Sequence, residues 1–403
     1  MVNRSDSQSM SRLLGLVVLM AAVGQMTQTM YVPSIAAMSD YFSVPAASLQ
    51  AVMAAYLIPY GLSQFVYGPL SDRIGRRPVV LIGMIIFLMG SMVTLMTASF
   101  EWFLIGSFIQ GMGTGSSGAM SRTVTRDCFD GPMLHKANSY VSMGVIFSPS
   151  IAPVLGGFLT QRFDWHATYE FLFAVGLIVT GIMYFFFLET LPKERRKNER
   201  VWTSYKYVLG NKKYQGYLLA LVSTFAGVAV YEAAVGVLLG DVLKLDSTTV
   251  SLLFIAPLPG FFLGSWLSAS LVARMSINRV LFIAAFALIA GGVTVAIPGL
   301  RGEVTVATLT GGGFVFFFGA GILFPAATSA AITPFPYHAG TAGSILGGAQ
   351  NLGAGVAAMG ASFMSMQSQF NLGIVMVVVS LLTLGCLVSI SRKIDYPHQP
   401  IAT

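Results

Sequence analysis

Long apolar runs alternate with short polar segments along almost the whole chain. A transmembrane helix needs about 20 mostly apolar residues. Twelve runs meet that length, centred on residues 13–35, 48–70, 79–98, 101–121, 138–160, 167–189, 215–239, 249–272, 278–298, 304–331, 338–363 and 371–391. The pattern therefore predicts an all-α polytopic membrane protein with twelve transmembrane helices. The ninth to eleventh runs are rich in glycine and weakly separated, so eleven spans are the alternative.

One polar segment, 191–213, is longer than the others and divides the predicted spans into six and six. It carries a cluster of basic residues: Lys193, Arg195, Arg196, Lys197 and Arg200. We predict two six-helix bundles, residues 1–190 and 214–403, joined by a cytoplasmic linker at 191–213. Many secondary transporters place a site between two such bundles at the middle of the membrane. The cluster could instead bind anionic lipid headgroups, but a linker that enforces topology is the simpler interpretation.

The basic residues lie almost entirely on one side of the predicted membrane. Short cytoplasmic loops carry the excess of lysine and arginine in membrane proteins. If the N-terminus and the even-numbered loops are cytoplasmic, all but three of the 23 lysines and arginines lie on that side. The three exceptions are Arg162, Lys244 and Arg301. This asymmetry predicts a multi-pass protein of the bacterial inner membrane with both termini in the cytoplasm.

The composition excludes several other classes of protein. Charged residues make up 10% of the chain, whereas soluble domains have about 25%, so we expect a surface that mostly contacts lipid. The net charge of +7 lies in short loops, which argues against a nucleic-acid partner. The chain has two cysteines and none of the common zinc-protease, serine-hydrolase or phosphate-loop motifs. We therefore predict a protein that is not an enzyme and has no cofactor or metal.

The loop after the second predicted span reads from Gly68 to Pro78 as GPLSDRIGRRP. A glycine allows close helix contact at Gly68 and positive φ at Gly75. Asp72 can pair with guanidinium groups and with a helix N-terminus. We predict a charge clamp that breaks when the cytoplasmic ends of the bundles separate, formed by Gly68, Asp72, Arg73, Gly75, Arg76 and Arg77. A basic loop that only sets topology is the alternative, but it would not require the aspartate or the glycines.

This loop resembles the signature of the major facilitator superfamily, in particular its twelve-helix drug:proton antiporters. Residues 121–127 resemble a segment of the drug exporters, which implies that Arg122, Arg126 and Asp127 join the clamp. Residues 152–157 resemble the antiporter motif G-P-x-x-G-G through Pro153, Gly156 and Gly157, with Ala152 in place of the first glycine. The resemblance implies the major facilitator fold and export driven by protons. One departure is Ser107, which stands where many relatives have an arginine used in proton coupling.

Glu232 is the clearest ionisable side chain within a predicted span, and its neighbours are apolar. An ionisable residue inside a span costs about 2.5–3.5 kcal/mol on insertion scales and points to function. Carboxyl groups in apolar surroundings also bind a proton more readily than those in water. We predict that Glu232 carries the coupled proton or contacts a cationic substrate. A structural glutamate that hydrogen-bonds to a neighbouring helix is the alternative.

Polar side chains form stripes along the first and second predicted spans. Helical spacing places residues 56, 60 and 64 on one narrow face and residues 25, 28 and 31 on another. Polar groups in lipid turn toward partners or a water-filled cavity. We predict a cavity lined by Gln25, Gln28, Tyr31, Tyr56, Tyr60, Gln64, Glu232 and Gln350. Plain hydrogen bonding between helices is the alternative.

These features predict proton-coupled efflux of amphipathic, hydrophobic small molecules by a monomer in contact with membrane lipid. The 21 methionines suit varied apolar substrates. The alternative is a dedicated exporter of a single metabolite such as a sugar. Pro257 and Pro259 in the eighth span and Pro325 in the tenth predict kinks or local unwinding.

Overall fold

The structure, a computed structural model, describes residues 4–129, 141, 148–149, 151–196, 201–335, 338–364 and 368–391. Helices account for most of these residues, and no β-strand occurs among them. The helices in chain order are α1 Arg4–Thr29, α2 Ile35–Phe42, α3 Gln50–Ile74, α4 Arg76–Met96, α5 Phe100–Cys128, α6 151–162, α7 His166–Phe186, α8 Val201–Leu209, α9 Lys212–Gly236, α10 Ser247–Ile255, α11 Leu258–Arg274, α12 Ile277–Gly299, α13 Val306–Ile332, α14 Ala339–Ser362 and α15 Phe370–Ser391. Short 3₁₀ turns occupy 32–34, 46–49 and 193–195, and a π-helical turn, Val237–Val242, extends α9.

The predicted fold class, an all-α polytopic membrane protein, is confirmed. In the part of the chain that the structure describes, nine helical segments are long and apolar enough to cross a membrane. The two glycine-rich helices α5 and α14 have comparable length and coincide with the fourth and eleventh predicted spans. Much of the fifth predicted span, 138–160, lies outside the described residues, and α6 contains its end. The described helices agree with twelve spans.

The segment between the two halves of the chain contains a short helix that the pattern of apolar runs did not predict. This helix, α8, contacts α9 and α14. It was missed because its nine residues are too few to stand out as a span. Residues 197–200 of the predicted basic linker lie outside the described residues.

The predicted break in the eighth span is present. Helix α10 ends at Ile255 and α11 begins at Leu258, with Pro257 between them. Proline cannot donate the helical hydrogen bond and clashes with the preceding turn, so the helix restarts there. No unwinding occurs at Pro325, which lies inside the continuous helix α13.

Glycines allow the helices to pack with their backbones close together. A Cβ atom on Gly90 of α4 would lie 2.5 Å from the Gln110 backbone nitrogen and 2.7 Å from the Gly106 carbonyl oxygen of α5. Between the halves, a Cβ on Gly61 of α3 would lie 2.6 Å from the Gly348 carbonyl oxygen of α14. Small residues have this role in membrane helices because apolar side chains gain little by leaving lipid.

The apolar cores show how the halves are joined. One core lies wholly within the first half and includes Val17, Phe87 and Met183. A second, larger core runs through both halves and includes Tyr31 and Leu238. The halves therefore share a continuous packed interface.

Enlarging a packed glycine should destabilise the first half. We expect Gly90→Val to lower the free energy of unfolding by about 1–3 kcal/mol, the usual cost of overpacking. Gly181→Val on α7 is the matched control, since no described atom lies within 4 Å of a Cβ at that position. Thermal unfolding in detergent measures both. Equal melting temperatures for the two variants would contradict the close α4–α5 contact.

Candidate transport site

Glu232 lies on α9 near the interface between the two halves, with 8% of its surface exposed. The Gln28 amide nitrogen of α1 donates a hydrogen bond to Glu232 Oε2 at 3.4 Å. This bond joins the first half of the chain to the second. It brings together two of the residues that the sequence predicted for the substrate cavity.

Two tyrosines lie near the carboxyl group. Tyr31 and Tyr231 are both buried and lie close enough to Glu232 to interact with its charge. The Tyr231 hydroxyl donates a hydrogen bond to the Leu309 carbonyl oxygen at 3.3 Å. The Tyr31 hydroxyl has no hydrogen-bond partner among the described residues. Tyr31 therefore keeps a polar atom available beside Glu232.

The two halves are in contact on the side of the membrane opposite the arginine-rich loop, which we call the outer side. One turn beyond Glu232, a Cβ on Gly236 would lie 2.7 Å from side-chain atoms of both Val32 and Ile35. Ser251 of α10 donates a hydrogen bond to the Pro153 carbonyl oxygen of α6 at 2.8 Å. Together these contacts close the interface on the outer side of Glu232.

The antiporter-like motif lies within this outer contact. A Cβ on Gly157 would overlap Ser251 of the second half, and one on Gly156 would overlap the Met30 carbonyl oxygen. Met30 immediately precedes Tyr31 and Val32 in the chain. The two glycines therefore let α6 contact both the end of α1 and the opposite half.

On the side of the arginine-rich loop, a cavity of about 80 Å³ lies between the halves. It is lined by Gln64, Gly68, Pro69, Asp72, Gly118, Ala119, Thr123, Arg126, Tyr205, Thr341 and Ser344. The Gln64 amide nitrogen is buried and has no hydrogen-bond partner among the described residues. The cavity is small, polar in part and separate from the surroundings of Glu232.

The remaining predicted cavity residues lie mostly within the first half. The Tyr56 hydroxyl donates to the Gly24 carbonyl oxygen at 2.6 Å and lies 2.7 Å from the Thr114 hydroxyl. The Gln25 amide nitrogen donates to the Tyr60 hydroxyl at 3.4 Å. These bonds connect α1, α3 and α5, which fits the alternative interpretation that these residues only hydrogen-bond between helices. Gln350 is half-buried on α14.

Arg76 is the centre of the predicted clamp. Only 3% of its side chain is exposed, and its guanidinium group pairs with Asp72 at 2.5 Å and with Asp127 at 2.7 Å. It also donates to the Ser71 hydroxyl at 2.7 Å. The three hydrogen bonds join the ends of α3, α4 and α5.

Other predicted members of the clamp contribute less. Arg73 and Arg126 are exposed, and the side chain of Arg122 lies outside the described residues. Arg77 donates instead to the Tyr184 carbonyl oxygen at 2.7 Å. The expected close helix contact at Gly68 is wrong for this structure, because Gly68 borders the cavity and no described atom lies within 4 Å of a Cβ there.

Glu189 is a partner of this cluster that the clamp prediction missed. Its carboxylate accepts hydrogen bonds from the backbone amides of Arg76 at 2.8 Å and Leu191 at 3.0 Å, and it lies 3.7 Å from the Arg196 guanidinium group. Gly75 has φ of +106°, as predicted, and a Cβ there would overlap the Glu189 carboxylate. The glutamate in the segment after α7 is the sequence feature that could have identified this partner.

Gln50 is a second residue that the sequence did not single out. It is fully buried at the start of α3, and neither atom of its amide group has a hydrogen-bond partner among the described residues. It lies six residues before Tyr56, off the face of the polar stripe. The pattern of apolar and polar positions does not indicate that a glutamine at the start of a span is buried.

Helical spans in two halves around a buried carboxyl group are the architecture of a secondary transporter. The sequence profile of the Major Facilitator Superfamily matches residues 17–358. The chain is 42% identical over 389 residues to multidrug resistance protein D of Escherichia coli (strain K12), covering 96% of this chain and 98% of that protein. It is 25% identical over 324 residues to the bicyclomycin resistance protein homolog of Haemophilus influenzae, covering 79% and 80%. The chain belongs to the Major Facilitator Superfamily, as its motifs predicted.

Solved structures show the same fold. The xylose transporter XylE from E. coli, in a partially occluded inward-open conformation, matches with a TM-score of 0.73 and 13% identity, covering 96% of this chain and 98% of that one. The human organic anion transporter MFSD10 matches with a TM-score of 0.68 and 15% identity, covering 94% and 99%. This agreement confirms the major facilitator fold.

The two carboxylates that pair with Arg76 should differ in their effect on stability. The Asp127 side chain is 14% exposed and that of Asp72 is 44% exposed. We expect Asp127→Asn to lower the free energy of unfolding by about 3 kcal/mol, as when a buried pair is broken. We expect Asp72→Asn to cost about 1 kcal/mol or less, because water screens the exposed partner.

Denaturation in detergent, with the exposed Asp164→Asn as control, measures these differences. A larger loss for Asp72→Asn than for Asp127→Asn would contradict the assignment of Asp127 as the main partner of Arg76.

Proposed function

We propose that this chain exports amphipathic, hydrophobic small molecules across the bacterial inner membrane in exchange for protons. The observation that carries the proposal is the buried Glu232 carboxyl group, hydrogen-bonded to Gln28 of the opposite half. The names of its relatives, a multidrug resistance protein and a bicyclomycin resistance protein homolog, support drug efflux. Protons are the proposed coupling ion because Glu232 is, among the described residues, the carboxyl group buried between the halves.

Glu232 would couple proton transport to substrate transport by binding either a proton or the substrate. As a carboxylate, it accepts the Gln28 hydrogen bond and attracts a cationic or strongly polarised substrate. Once protonated, it is neutral and costs less to keep in apolar surroundings. Proton binding therefore releases the substrate, and proton loss restores the site. Since both ligands use the same carboxylate, each turnover exchanges one for the other.

Access to this site would alternate between the two sides of the membrane. In this structure the outer contact at Gly236, Val32 and Ile35 is closed. Moving to the outward-facing form requires that contact to open and the cytoplasmic ends of the bundles to come together. We propose that the loop carrying the clamp closes the cytoplasmic side in this second form. The Arg76 bonds, already made within the first half in this structure, keep the ends of α3, α4 and α5 in place. Both termini would lie in the cytoplasm. The two bundles would be residues 1–190 and 214–403, joined by the linker 191–213. The monomer would be the transporting unit.

The character of the site favours hydrophobic substrates over a sugar. Among the described residues, the side chain that hydrogen-bonds to Glu232 is Gln28. A site built for a sugar would offer several hydrogen bonds, because unpaired hydroxyl groups are costly to bury. An apolar site with a single carboxyl group suits varied amphipathic compounds.

Replacing Glu232 should abolish proton-driven efflux. In proteoliposomes with an imposed pH gradient, we expect the wild type to transport ethidium against its concentration gradient. Glu232→Gln keeps the shape and removes the titrating group, so its transport should fall to the level of empty liposomes. Glu170→Gln, an exposed glutamate on α7, is the matched control and should behave like the wild type.

The proposal fails if Glu232→Gln retains gradient-dependent efflux. If the rate of ethidium transport by the wild type does not depend on the pH gradient, coupling to protons is also ruled out.

A further inference from the structure

Gln50 buries a complete amide group without a hydrogen bond among the described residues. Its surface exposure is 0%, and both Oε1 and Nε2 are unpartnered. Leaving a buried polar group unsatisfied costs about 1–3 kcal/mol, so buried groups of this kind usually have a structural or functional reason. Three other buried glutamines, Gln28, Gln110 and Gln369, are paired, and at Gln64 only the amide nitrogen is buried without a described partner. The amide of Gln369, for example, bonds to Val295, Thr305 and Thr308.

Gln50 lies one helical turn from the surroundings of Glu232. The Tyr31 hydroxyl, also unpartnered, lies beside the backbone of Met53 and interacts with the charge of Glu232. Residues 50 and 53 are neighbours on the surface of one helix, with Cβ atoms about 5–6 Å apart. Tyr31 beside Met53, and then Gln50 three residues earlier on α3, therefore form a succession of residues that leads away from Glu232.

This succession leads toward the outer side. Gln50 is the first residue of α3, and the preceding turn, 46–49, contacts the π-helical turn Val237–Val242. That turn follows Gly236, whose contact with Val32 and Ile35 closes the outer side. The ionisable groups near the inner end of this succession are Glu232, Tyr31 and Tyr231, with Tyr169 close to Tyr31. On the outer elements packed against the 46–49 turn they are Asp40 and Asp241, with Lys244 bonded to Asp241. A glutamine amide is neutral at every working pH, so it can hold water there without adding a charge.

We propose that Gln50 and Tyr31 form the outer end of the proton path, holding water between Glu232 and the outer solution while the bulkier substrate route is closed. This inference rests on the proposed function. A proton enters from the outer solution onto water beside the Gln50 amide. That protonated water, hydrogen-bonded to the Tyr31 hydroxyl, then passes the proton through water to the Glu232 carboxylate. Tyr31 ends neutral, Glu232 is protonated, and one proton has moved inward.

The proposed path carries the proton along a route that the substrate does not use. Buried waters typically make about three hydrogen bonds, and the two Gln50 atoms with the Tyr31 hydroxyl supply that number. Substrate binding does not use Gln50, so its loss should slow proton delivery and spare substrate exchange. Gln50 is thus a positioning residue for the proton, acting through water and Tyr31.

The test compares Gln50→Leu, Gln50→Met and Gln50→Ser in proteoliposomes. The first two remove the amide at similar size, whereas serine keeps a hydroxyl and leaves room for water. Two rates are measured for each variant: ethidium efflux driven by a pH gradient, and exchange of ethidium for ethidium at equal pH on both sides. The gradient-driven rate is measured in H₂O and in D₂O.

We expect Gln50→Leu and Gln50→Met to slow gradient-driven efflux by about tenfold or more, in the range of lost proton-transfer assistance. Ethidium exchange should stay within about twofold of the wild type, and the solvent isotope effect should rise because proton delivery becomes rate-limiting. Gln50→Ser should recover most of the gradient-driven rate. Thermal unfolding serves as the folding control: Gln50→Leu should match or exceed the wild type, whereas Gln369→Leu should unfold earlier.

Two results would overturn the inference while leaving proton antiport intact. One is gradient-driven efflux of wild-type rate in both apolar variants. The other is an equal loss of efflux and exchange, which would make Gln50 part of the outer contact and not of a proton path. If the wild type itself shows no dependence on the pH gradient, the proposed function fails first, and this inference fails with it.

Discussion

A carboxyl group buried where the two halves of the chain meet is the constraint on which the rest of this structure depends. An ionised Glu232 is costly away from water, and the protein offers it the Gln28 amide of the opposite half at 3.4 Å. In the proposed mechanism, that hydrogen bond ties the protonation state of one side chain to the relative position of the two halves. A change of charge at Glu232 is therefore felt across the interface and not only on α9.

Close packing of helix backbones restricts how the two halves can move relative to one another. Glycines at positions 157 and 236 let the halves touch on the outer side, and Gly61 and Gly348 let α3 and α14 touch between them. On the other side, Arg76 holds the ends of three helices of the first half through Asp72 and Asp127. Because tightly packed contacts are either made or broken and do not stretch, the molecule favours discrete states over a continuum of openings.

Much of this architecture could be predicted from the sequence, because lipid imposes long apolar runs and charge asymmetry that are read directly. Glu232 and the Arg76 loop were also identifiable, since charges are rare within or beside apolar spans. Pairings across the chain were harder. Nothing in local spacing indicates that Glu189 meets the backbone of Arg76, or that the Tyr56 hydroxyl is already bonded to Gly24 and Thr114. Gln50 was missed because only the packed structure shows that its amide is buried without a partner.

The most direct test of the central claim is whether substrate binding displaces a proton from Glu232. Purified protein in weakly buffered detergent solution, with a pH-indicating dye, reports protons released when ethidium is added across a series of pH values. If proton and substrate compete for one carboxyl group, linkage requires release of up to about one proton per bound molecule in the wild type. Glu232→Gln should release none. Binding of ethidium without proton release by the wild type, or equal release by the variant, would contradict the account.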